Sequence, residues 1–450
     1  MGEVQIISTC LVVATPNESI SIPKNISKIE MTPWDLQFLL VNTIQKGLLF
    51  HKPKDENNNI PISSLIDHLK TSLSHTLCFF PLLTGRFSTV KNTDDDTISF
   101  FINCNNIGVE FIHANALKLS VSSILDSVHV PIFVHHLFPL NNTRNFECVT
   151  KPLFGVQITE LVDGFFIGCT MSHCLGDGTC FWHFFNSWSE ISRGYEVISK
   201  IPVLKRYFSE KMEIPIHLPL KLDDEKLSEK IEVPQLVERI FHFSKESIGR
   251  LKGKANSEIG VNSISSFQAY LAHLWRSVTR CCKLDDKEEV SINVIIGTRS
   301  RLNPPLQEGY FGNAAYFKTV KTTAGELLEN GLGWAAMQIN KMVAAQSFEE
   351  VMKFYKEWVE KPMLFTNASV LVGNKIGISS SPRYNIYGVD FGWGKPVAVR
   401  SGKANKNDGK ITLFPGIEEG SVDIEVCILP ETMQALENDQ EFMEVVTTKA

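Results

Sequence analysis

The segment that most constrains the fold of this chain spans residues 165–188 and reads FFIGCTMSHCLGDGTCFWHFFNSW. Apolar, β-branched and aromatic residues precede His173, and aromatic residues at helical spacing follow Asp177, so the pattern predicts a strand, a tight turn and a helix. Gly176 and Gly178 favour a sharp turn, because glycine adopts backbone angles that other residues avoid. His173 is therefore predicted to lie where a strand ends, a position from which an imidazole can face a cleft.

General base catalysis is the chemistry that suits such a histidine. A neutral imidazole near pH 7 accepts a proton from a hydroxyl or an amine as that group attacks a carbonyl. Asp177 would then orient the histidine or its loop. The HxxxD pattern is short, however, and a buried histidine beside a turn-forming aspartate explains it equally well on these residues alone.

Length and composition limit the class of protein. A chain of 450 residues exceeds what one hydrophobic core usually supports, so two domains are expected. The net charge of -6 argues against a nucleic-acid surface, which needs a basic patch. No apolar run has transmembrane length and no signal-peptide pattern is present, so we expect a cytoplasmic protein without a membrane association. The cysteines show no metal-binding spacing, so no metal site is predicted.

Strand and helix patterns alternate along both halves of the chain, which predicts an α/β protein. Residues 196–221 are rich in proline and lysine and lack a sustained periodicity, so they are interpreted as a crossover linker. The predicted domains are therefore residues 1–195, which carry HxxxD, and residues 222–450. The two halves could be copies of one architecture.

A second concentrated signal is DFGWG at residues 390–394, where two glycines flank an indole. Asp390 is acidic in an apolar and basic neighbourhood, which favours a salt bridge that holds the loop over a catalytic role. On the residues alone this segment is a structural loop.

HxxxDG at residues 173–178, RSRLNPPLQEGYFGN at residues 299–313 and DFGWG together resemble the plant BAHD acyltransferases. The resemblance covers essentially the whole chain. It implies two chloramphenicol-acetyltransferase-like domains, each a mixed sheet flanked by helices, that meet across a solvent channel. It also implies a monomer that uses acyl-CoA as co-substrate, a small-molecule acceptor and no permanently bound cofactor.

The resemblance assigns roles to the two motifs. His173 would be the general base in a ternary complex with both substrates. Asp177 and Asp390 would be positioning residues, and Arg299 is the candidate ion-pair partner of Asp390. No GxSxG elbow suggests a serine nucleophile.

The resemblance also implies substrate contacts. Many family members have Thr-Ser-Trp where this chain has three serines, so Ser379 keeps a hydroxyl for the oxyanion, while Ser381 replaces the indole. Arg383 aligns with a position that grips acceptor carboxylates in some hydroxycinnamoyl transferases, although arginine also occurs there without that role. On the acceptor or oxyanion side the expected residues are Ser379, Ser381, Arg383 and Trp393.

The coenzyme entrance should present cations or backbone amides to the phosphates of CoA. The family match points to Lys252, Lys254, Ser265, Ser266 and Arg299. An exposed helix face explains the two lysines equally well, and a helix cap is the simpler explanation of the two serines.

Other functions remain open from the sequence. A lyase or otherwise repurposed member of the same fold would be free to lose the base, which is intact here. A carrier-protein condensation domain uses HHxxxDG, and Ser172 replaces its first histidine. A ligand-binding pseudoenzyme would be expected to show degraded motifs, and neither motif is degraded. His135, His136 and His183 are assigned to loop or packing roles.

Overall fold

The computed structural model describes residues 4–15, 26–52, 61–207, 215–221, 234–366 and 374–447. In chain order the strands are β1 (Gln5–Val12), β2 (Lys28–Glu30), β3 (Ile44–His51), β4 (Arg86–Asn92), β5 (Thr97–Asn103), β6 (Val109–Asn115), β7 (Phe154–Glu160), β8 (Gly164–Met171), β9 (Val237–Phe243), β10 (Glu289–Gly297), β11 (Ala315–Thr323), β12 (Lys375–Ser380), β13 (Ala398–Ser401), β14 (Lys410–Pro415) and β15 (Val422–Ile428). The α-helices are α1 (Pro33–Leu36), α2 (Ile62–Leu77), α3 (Val121–Leu125), α4 (Gly178–Ser192), α5 (Lys245–Ile259), α6 (Ser266–Cys281), α7 (Ala324–Glu329), α8 (Gly331–Ala344), α9 (Phe348–Glu360), α10 (Pro430–Glu437) and α11 (Gln440–Met443).

The strands form two mixed six-stranded sheets, which confirms the predicted α/β fold with two sheet-rich domains. The first sheet has the order β1-β6-β7-β8-β3-β13, and the second has the order β11-β10-β12-β14-β15-β9. A smaller sheet of order β2-β5-β4 accompanies the first. Strands β6 and β7 pair in parallel, as do β10 with β12 and β12 with β14.

Strand β8 lies in the core of the first half and is buried along its whole length. A strand covered on both faces is a near-continuous apolar run, which is the pattern that precedes His173. Helices α2 and α4 pack against each other beside this sheet. The aromatic residues of α4 join the same core through Phe184 and Trp188, which are almost fully buried.

The second half packs helices α5, α6 and α8 together beside its sheet. The sequence pattern predicts one helix over residues 323–345, but the structure contains two, α7 and α8. The break falls at Gly331, whose φ of 80° lies in the left-handed region that favours glycine. The sequence pattern also predicts a strand over residues 364–371, most of which lies outside the described residues.

Strand β13 connects the two halves in a way that the sequence pattern does not predict. Although it belongs to the C-terminal half, it pairs with β3 of the first sheet, with Ser401 opposite Lys46. The DFGWG segment just before it also joins the first core, since Phe391 packs edge-on against Trp188 with ring centroids 4.9 Å apart. The boundaries at residues 195 and 222 stay a prediction, and residues 390–401 physically belong with the first sheet.

All ten cysteines are free thiols, and most are buried. Burial raises the pKa of the Cys104 thiol to about 11. Within the described ranges, no helix has both the length and the apolar character needed to cross a bilayer.

Candidate active site

A cavity of about 1250 Å³ is lined by residues of both six-stranded sheets. The first sheet contributes Lys46 on β3 and the turn after β8, which carries His173. The second sheet contributes the inner residues of β10, β12 and β14, including Ser379 and Thr412. The volume exceeds that of an ordinary single-ligand pocket, so the cavity can hold two substrates at once.

His173 lies between the end of β8 and the start of α4, as the sequence pattern predicts. Its backbone amide donates to Oδ1 of Asn145 at 2.8 Å, and its carbonyl accepts from Nδ2 of Asn313 at 2.7 Å. The imidazole stacks on the Phe38 ring, with centroids 3.7 Å apart and planes 9° from parallel. The backbone of His173 is therefore fixed by two side-chain amides, and its ring packs on Phe38 in the wall of the cavity.

The electrostatic surroundings keep this imidazole neutral. Burial lowers the pKa of His173 to about 4, and the nearby charge of Lys410 acts in the same direction. Within the described residues, the buried Nδ1 has no hydrogen-bond partner. At neutral pH the ring is thus in the state that can accept a proton.

Asp177 caps helix α4 and forms an ion pair with Arg299. Its Oδ1 accepts from the backbone amide of Thr179 at 3.0 Å, and its Oδ2 lies 2.5 Å from Nη1 of Arg299. Nη2 of Arg299 also donates to Oδ1 at 3.1 Å. The carboxylate therefore fixes the turn that carries the histidine, and its hydrogen bonds go to groups other than the imidazole.

Two asparagines support the turn, and the sequence analysis did not single out either. Asn145 donates to the carbonyls of Phe38 and Val41 at 2.7 and 2.9 Å, while its Oδ1 holds the amide of His173. Asn313 donates both to the carbonyl of His173 and to Oδ1 of the fully buried Asp35, at 3.0 Å in the second case. These amides couple the segment that carries Phe38, and the second half of the chain, to the histidine turn.

Comparison with known proteins decides the family. The family model described as Transferase family matches residues 3–443. The chain belongs to this family, the BAHD acyltransferases. An uncharacterised acetyltransferase of Arabidopsis thaliana is 40% identical over 423 residues, which cover 93% of this chain and 94% of that protein. The BAHD acyltransferase DCR of the same plant is 33% identical, covering 92% of this chain and 88% of the relative.

Solved structures agree on the fold. Vinorine synthase has a TM-score of 0.73 and 21% identity, and 99% of each chain is covered. TRI101 of F. graminearum, in complex with coenzyme A and deoxynivalenol, has a TM-score of 0.77 and 15% identity, with 93% of this chain and 99% of that chain covered. The BAHD fold thus extends over nearly the whole protein, and an acyltransferase activity follows from family membership.

The glycines of HxxxDG are required by close packing, because neither has a positive φ. A Cβ built on Gly178 would lie 2.6 Å from the hydroxyl oxygen of Tyr384, and one on Gly176 would lie 2.6 Å from Cβ of Cys180. A side chain at either position would force a neighbouring residue to move. This reason replaces the expected one, an unusual backbone angle.

The predicted pairing of Asp390 with Arg299 is wrong, because Arg299 forms its ion pair with Asp177. The carboxylate of Asp390 accepts from the backbone amides of Gly392 and Gly394 at 2.8 and 3.1 Å. Both glycines have positive φ, 106° and 114°, which explains the glycines around the indole of DFGWG. Asp390 does hold its loop, through backbone amides.

Trp393 was expected on the acceptor or oxyanion side, but it is not among the described residues that line the cavity. Its indole stacks on Phe391 with centroids 5.5 Å apart and meets Phe50 edge-on at 6.4 Å. It is therefore a packing residue of the first core.

Three other expected acceptor-side residues do line the cavity, namely Ser379, Ser381 and Arg383. The hydroxyl of Ser379 donates to the carbonyl of Ile411 at 3.1 Å. Ser381 Oγ accepts from the backbone amide of Arg383 at 3.2 Å. The replaced indole at position 381 thus leaves a small polar side chain in the cavity wall.

The expected coenzyme contacts separate into two groups. Ser265 and Ser266 line the cavity, and Ser265 also caps α6 by accepting from the amide of Gln268 at 3.3 Å. Lys252 and Lys254 lie on the exposed face of α5, outside the cavity lining. On the same helix it is Lys245, at the first turn, that lines the cavity. Arg299 does line the cavity, although its guanidinium is engaged by Asp177.

Proposed function

We propose that this protein transfers an acyl group from acyl-CoA to a hydroxyl or amine of a small plant metabolite, with His173 as general base. The observation that carries the proposal is a neutral imidazole in the wall of a cavity large enough for two substrates, stacked on Phe38 and carried by a backbone that Asn145 and Asn313 hold. TRI101, which has the same fold, was solved with coenzyme A and a second small molecule together, and this supports a ternary complex.

The proposed reaction needs no covalent enzyme intermediate. Because Nδ1 of His173 is buried, Nε2 is the nitrogen available to the acceptor. As the acceptor oxygen or nitrogen forms its bond to the thioester carbon, its proton moves to Nε2. The tetrahedral intermediate then collapses, the carbon–sulfur bond breaks, and the imidazolium returns the proton to the departing thiolate. The products are an ester or amide and free CoA.

The oxyanion needs a hydrogen-bond donor, and Ser379 is our candidate. Its hydroxyl donates to the carbonyl of Ile411 in this structure, and rotation about its χ1 angle would redirect the same hydrogen toward the cavity. A serine that gains its best acceptor only in the transition state contributes to kcat and has little effect on substrate binding.

Coenzyme A should enter at the end of the cavity lined by Ser265, Ser266 and Lys245. The two serines begin the 16-residue helix α6, whose free backbone amides favour an anion. Arg301 lines the cavity as well. The end with Ser265 and Ser266 therefore combines the Lys245 cation with a helix N-terminus, a combination suited to phosphates. The cytoplasmic location and the monomeric state stay predictions from the sequence.

The experiment is thiol release from a panel of acyl-CoA esters with pooled alcohols and amines, comparing wild type with His173→Ala. Loss of general base catalysis should lower acceptor-dependent release by about 10²- to 10⁴-fold. His183→Gln is the matched control, since His183 lies on α4 and bonds the carbonyl of Lys200 at 2.7 Å. Equal release from wild type and His173→Ala would overturn the assignment and favour a lyase or a binding protein.

A further inference from the structure

One end of the cavity lies beside an unusual group of buried and half-buried charges. Its members are three half-buried lysines that line the cavity, Lys46, Lys406 and Lys410, and two buried glutamates behind them, Glu238 and Glu425. Lys46 lies on β3 of the first sheet, directly opposite Ser401 of β13. The other four lie on or beside strands β9, β14 and β15 of the second sheet. The group therefore sits where the two sheets face each other.

Both carboxylates of this group are taken by one lysine. Nζ of Lys406 lies 2.7 Å from Oε2 of Glu238 and is also bonded to Oε1 of Glu425. The other oxygen of Glu238 pairs with Nε2 of His135 at 2.9 Å, and Glu425 also accepts from the hydroxyl of Ser401. These contacts engage both oxygens of Glu238 and Oε1 of Glu425, and among the described residues the buried Oε2 of Glu425 has no hydrogen-bond partner.

Lys46 and Lys410 are left without an anionic partner among the described residues, yet both line the cavity. The ammonium of Lys46 lies 4.8 Å above the Phe414 ring, a weaker contact than an ion pair. Burial lowers the pKa of Lys46 to about 7 against the opposing charge of Glu425, with Lys406 and Lys410 acting in the same direction as burial, and burial with Lys406 lowers the pKa of Lys410 to about 8. Two half-buried lysines that line one cavity and have no ion pair within the described part of the chain repel each other, so this arrangement is one that a bound anion would stabilise.

The two lysines lie at the end of the cavity remote from the proposed coenzyme phosphates. Strand β14 runs along the cavity, with Lys410 at its start and Gly416 just after its end. Six residues of strand span about 20 Å. Lys245 lies beside the turn after β14, as its Cγ approaches Gly420. An anion at the lysine end would consequently be part of a second substrate, close enough to His173 for Lys410 to influence that ring.

We propose that Lys46 and Lys410 form a subsite for a carboxylate of the acceptor. The natural acceptor is then a hydroxy acid or an amino acid derivative whose carboxylate binds between the sheets while its hydroxyl or amine faces His173. The inference rests on the proposed function, because only acyl transfer makes the bound acid an acceptor. Binding of the carboxylate itself can be tested without turnover. The competing ligand for this subsite is a carboxylate on the acyl group of the donor, as in malonyl-CoA.

The test uses Lys46→Met, Lys410→Met and the double variant, with Lys403→Met as control. Methionine keeps the length of the apolar stem, so thermal unfolding should show folded proteins, and Lys403 is exposed on the loop before β14. Binding is measured by calorimetry, without a donor, for hydroxy acids and amino acids that are each paired with their methyl ester. Wild type and Lys403→Met should prefer the free acid by about 10- to 100-fold, as expected for charge-assisted hydrogen bonds, and the double variant should lose that preference.

Turnover then separates this inference from the proposed function. Equal binding of acid and ester by wild type, or a preference that survives the double substitution, would overturn the subsite even if neutral acceptors are acylated. Lysine-dependent acid binding in a protein that releases no thiol would support the subsite and refute acyl transfer. If the substitutions raise the KM for malonyl-CoA relative to acetyl-CoA and leave acceptor binding unchanged, the carboxylate belongs to the donor and our assignment is wrong.

Discussion

The ion pair between Asp177 and Arg299 allows a quantitative test of how the histidine turn is held. Only 12% of the Asp177 side chain and 26% of the Arg299 side chain are exposed. Burial acts to raise the pKa of Asp177, but the charge and hydrogen bonds of Arg299 outweigh it and hold that pKa below its ordinary value. Asp177→Asn keeps the size of the side chain and an oxygen for the cap of α4, but it removes the charge opposite Arg299 and the oxygen that accepts from Arg299 and from the amide of Ala314.

Breaking a buried pair by removing one partner costs about 3–5 kcal/mol, because it leaves an uncompensated charge. We expect the lower part of that range for Asp177→Asn, since Arg299 also donates to the carbonyl of Gly312 at 3.1 Å. Arg299→Met should cost a similar amount, and the double variant should cost less than the sum by about 2 kcal/mol. Urea denaturation at pH 7 measures all four free energies of unfolding.

The pH dependence provides the control. A carboxylate whose folded pKa is depressed contributes stability above its unfolded pKa of about 4 and loses it as the pH falls through the folded pKa. The destabilisation by Asp177→Asn should therefore be full at pH 7 and shrink below pH 4. Turnover should also fall through kcat, because a looser turn misplaces His173. Additive free energies, or a destabilisation that does not change with pH, would refute the reasoning.

Three further outcomes follow from contacts around the cavity. Since burial lowers the pKa of His173 to about 4, kcat/KM should fall only below about pH 5, and an acid limb centred near pH 6.5 would contradict a buried base. Asn145→Ala removes the acceptor of the His173 amide and of the Ser172 hydroxyl, while the carbonyls of Phe38 and Val41 keep backbone donors, and it should lower the free energy of unfolding by about 3 kcal/mol, measured in urea, together with kcat. Trp393→Ala should cost about 3 kcal/mol by removing core packing while the acceptor KM stays unchanged, and a raised KM would return this indole to the acceptor side.

The sequence predicts best where chemistry and local structure use the same residues. Around His173, apolar residues followed by glycines and a helical pattern predict the strand, the turn and the helix, and the structure contains β8, the turn and α4 in that order. The same stretch carries half of the family signature. Local periodicity and motif therefore agree, which is why this part of the site needed little correction.

The sequence does not predict contacts between segments that are far apart in the chain. Asp177 and Asp390 are both motif aspartates, and nothing local says which of them faces Arg299. Periodicity likewise does not predict that β13 pairs within the first sheet, since the sequence of a four-residue strand does not indicate its partner. Lys46 is a single lysine in a mostly apolar strand, and only the register with Ser401 shows that it faces the cavity with the charges of the second sheet.

The charges around the cavity connect these observations. Asp177 is neutralised by Arg299, Asp35 lies 3.3 Å from Arg206, and Lys406 holds two glutamates, so none of these carboxylates is left to pair with His173. Burial is the main reason that the imidazole is neutral and a weak base, and the positive charge of Lys410 acts in the same direction. A carboxylate bound beside Lys410 would screen that charge and raise the pKa of His173. An acidic acceptor would thus strengthen the base that deprotonates it, and acceptors without a carboxylate should be acylated more slowly even when they saturate the site.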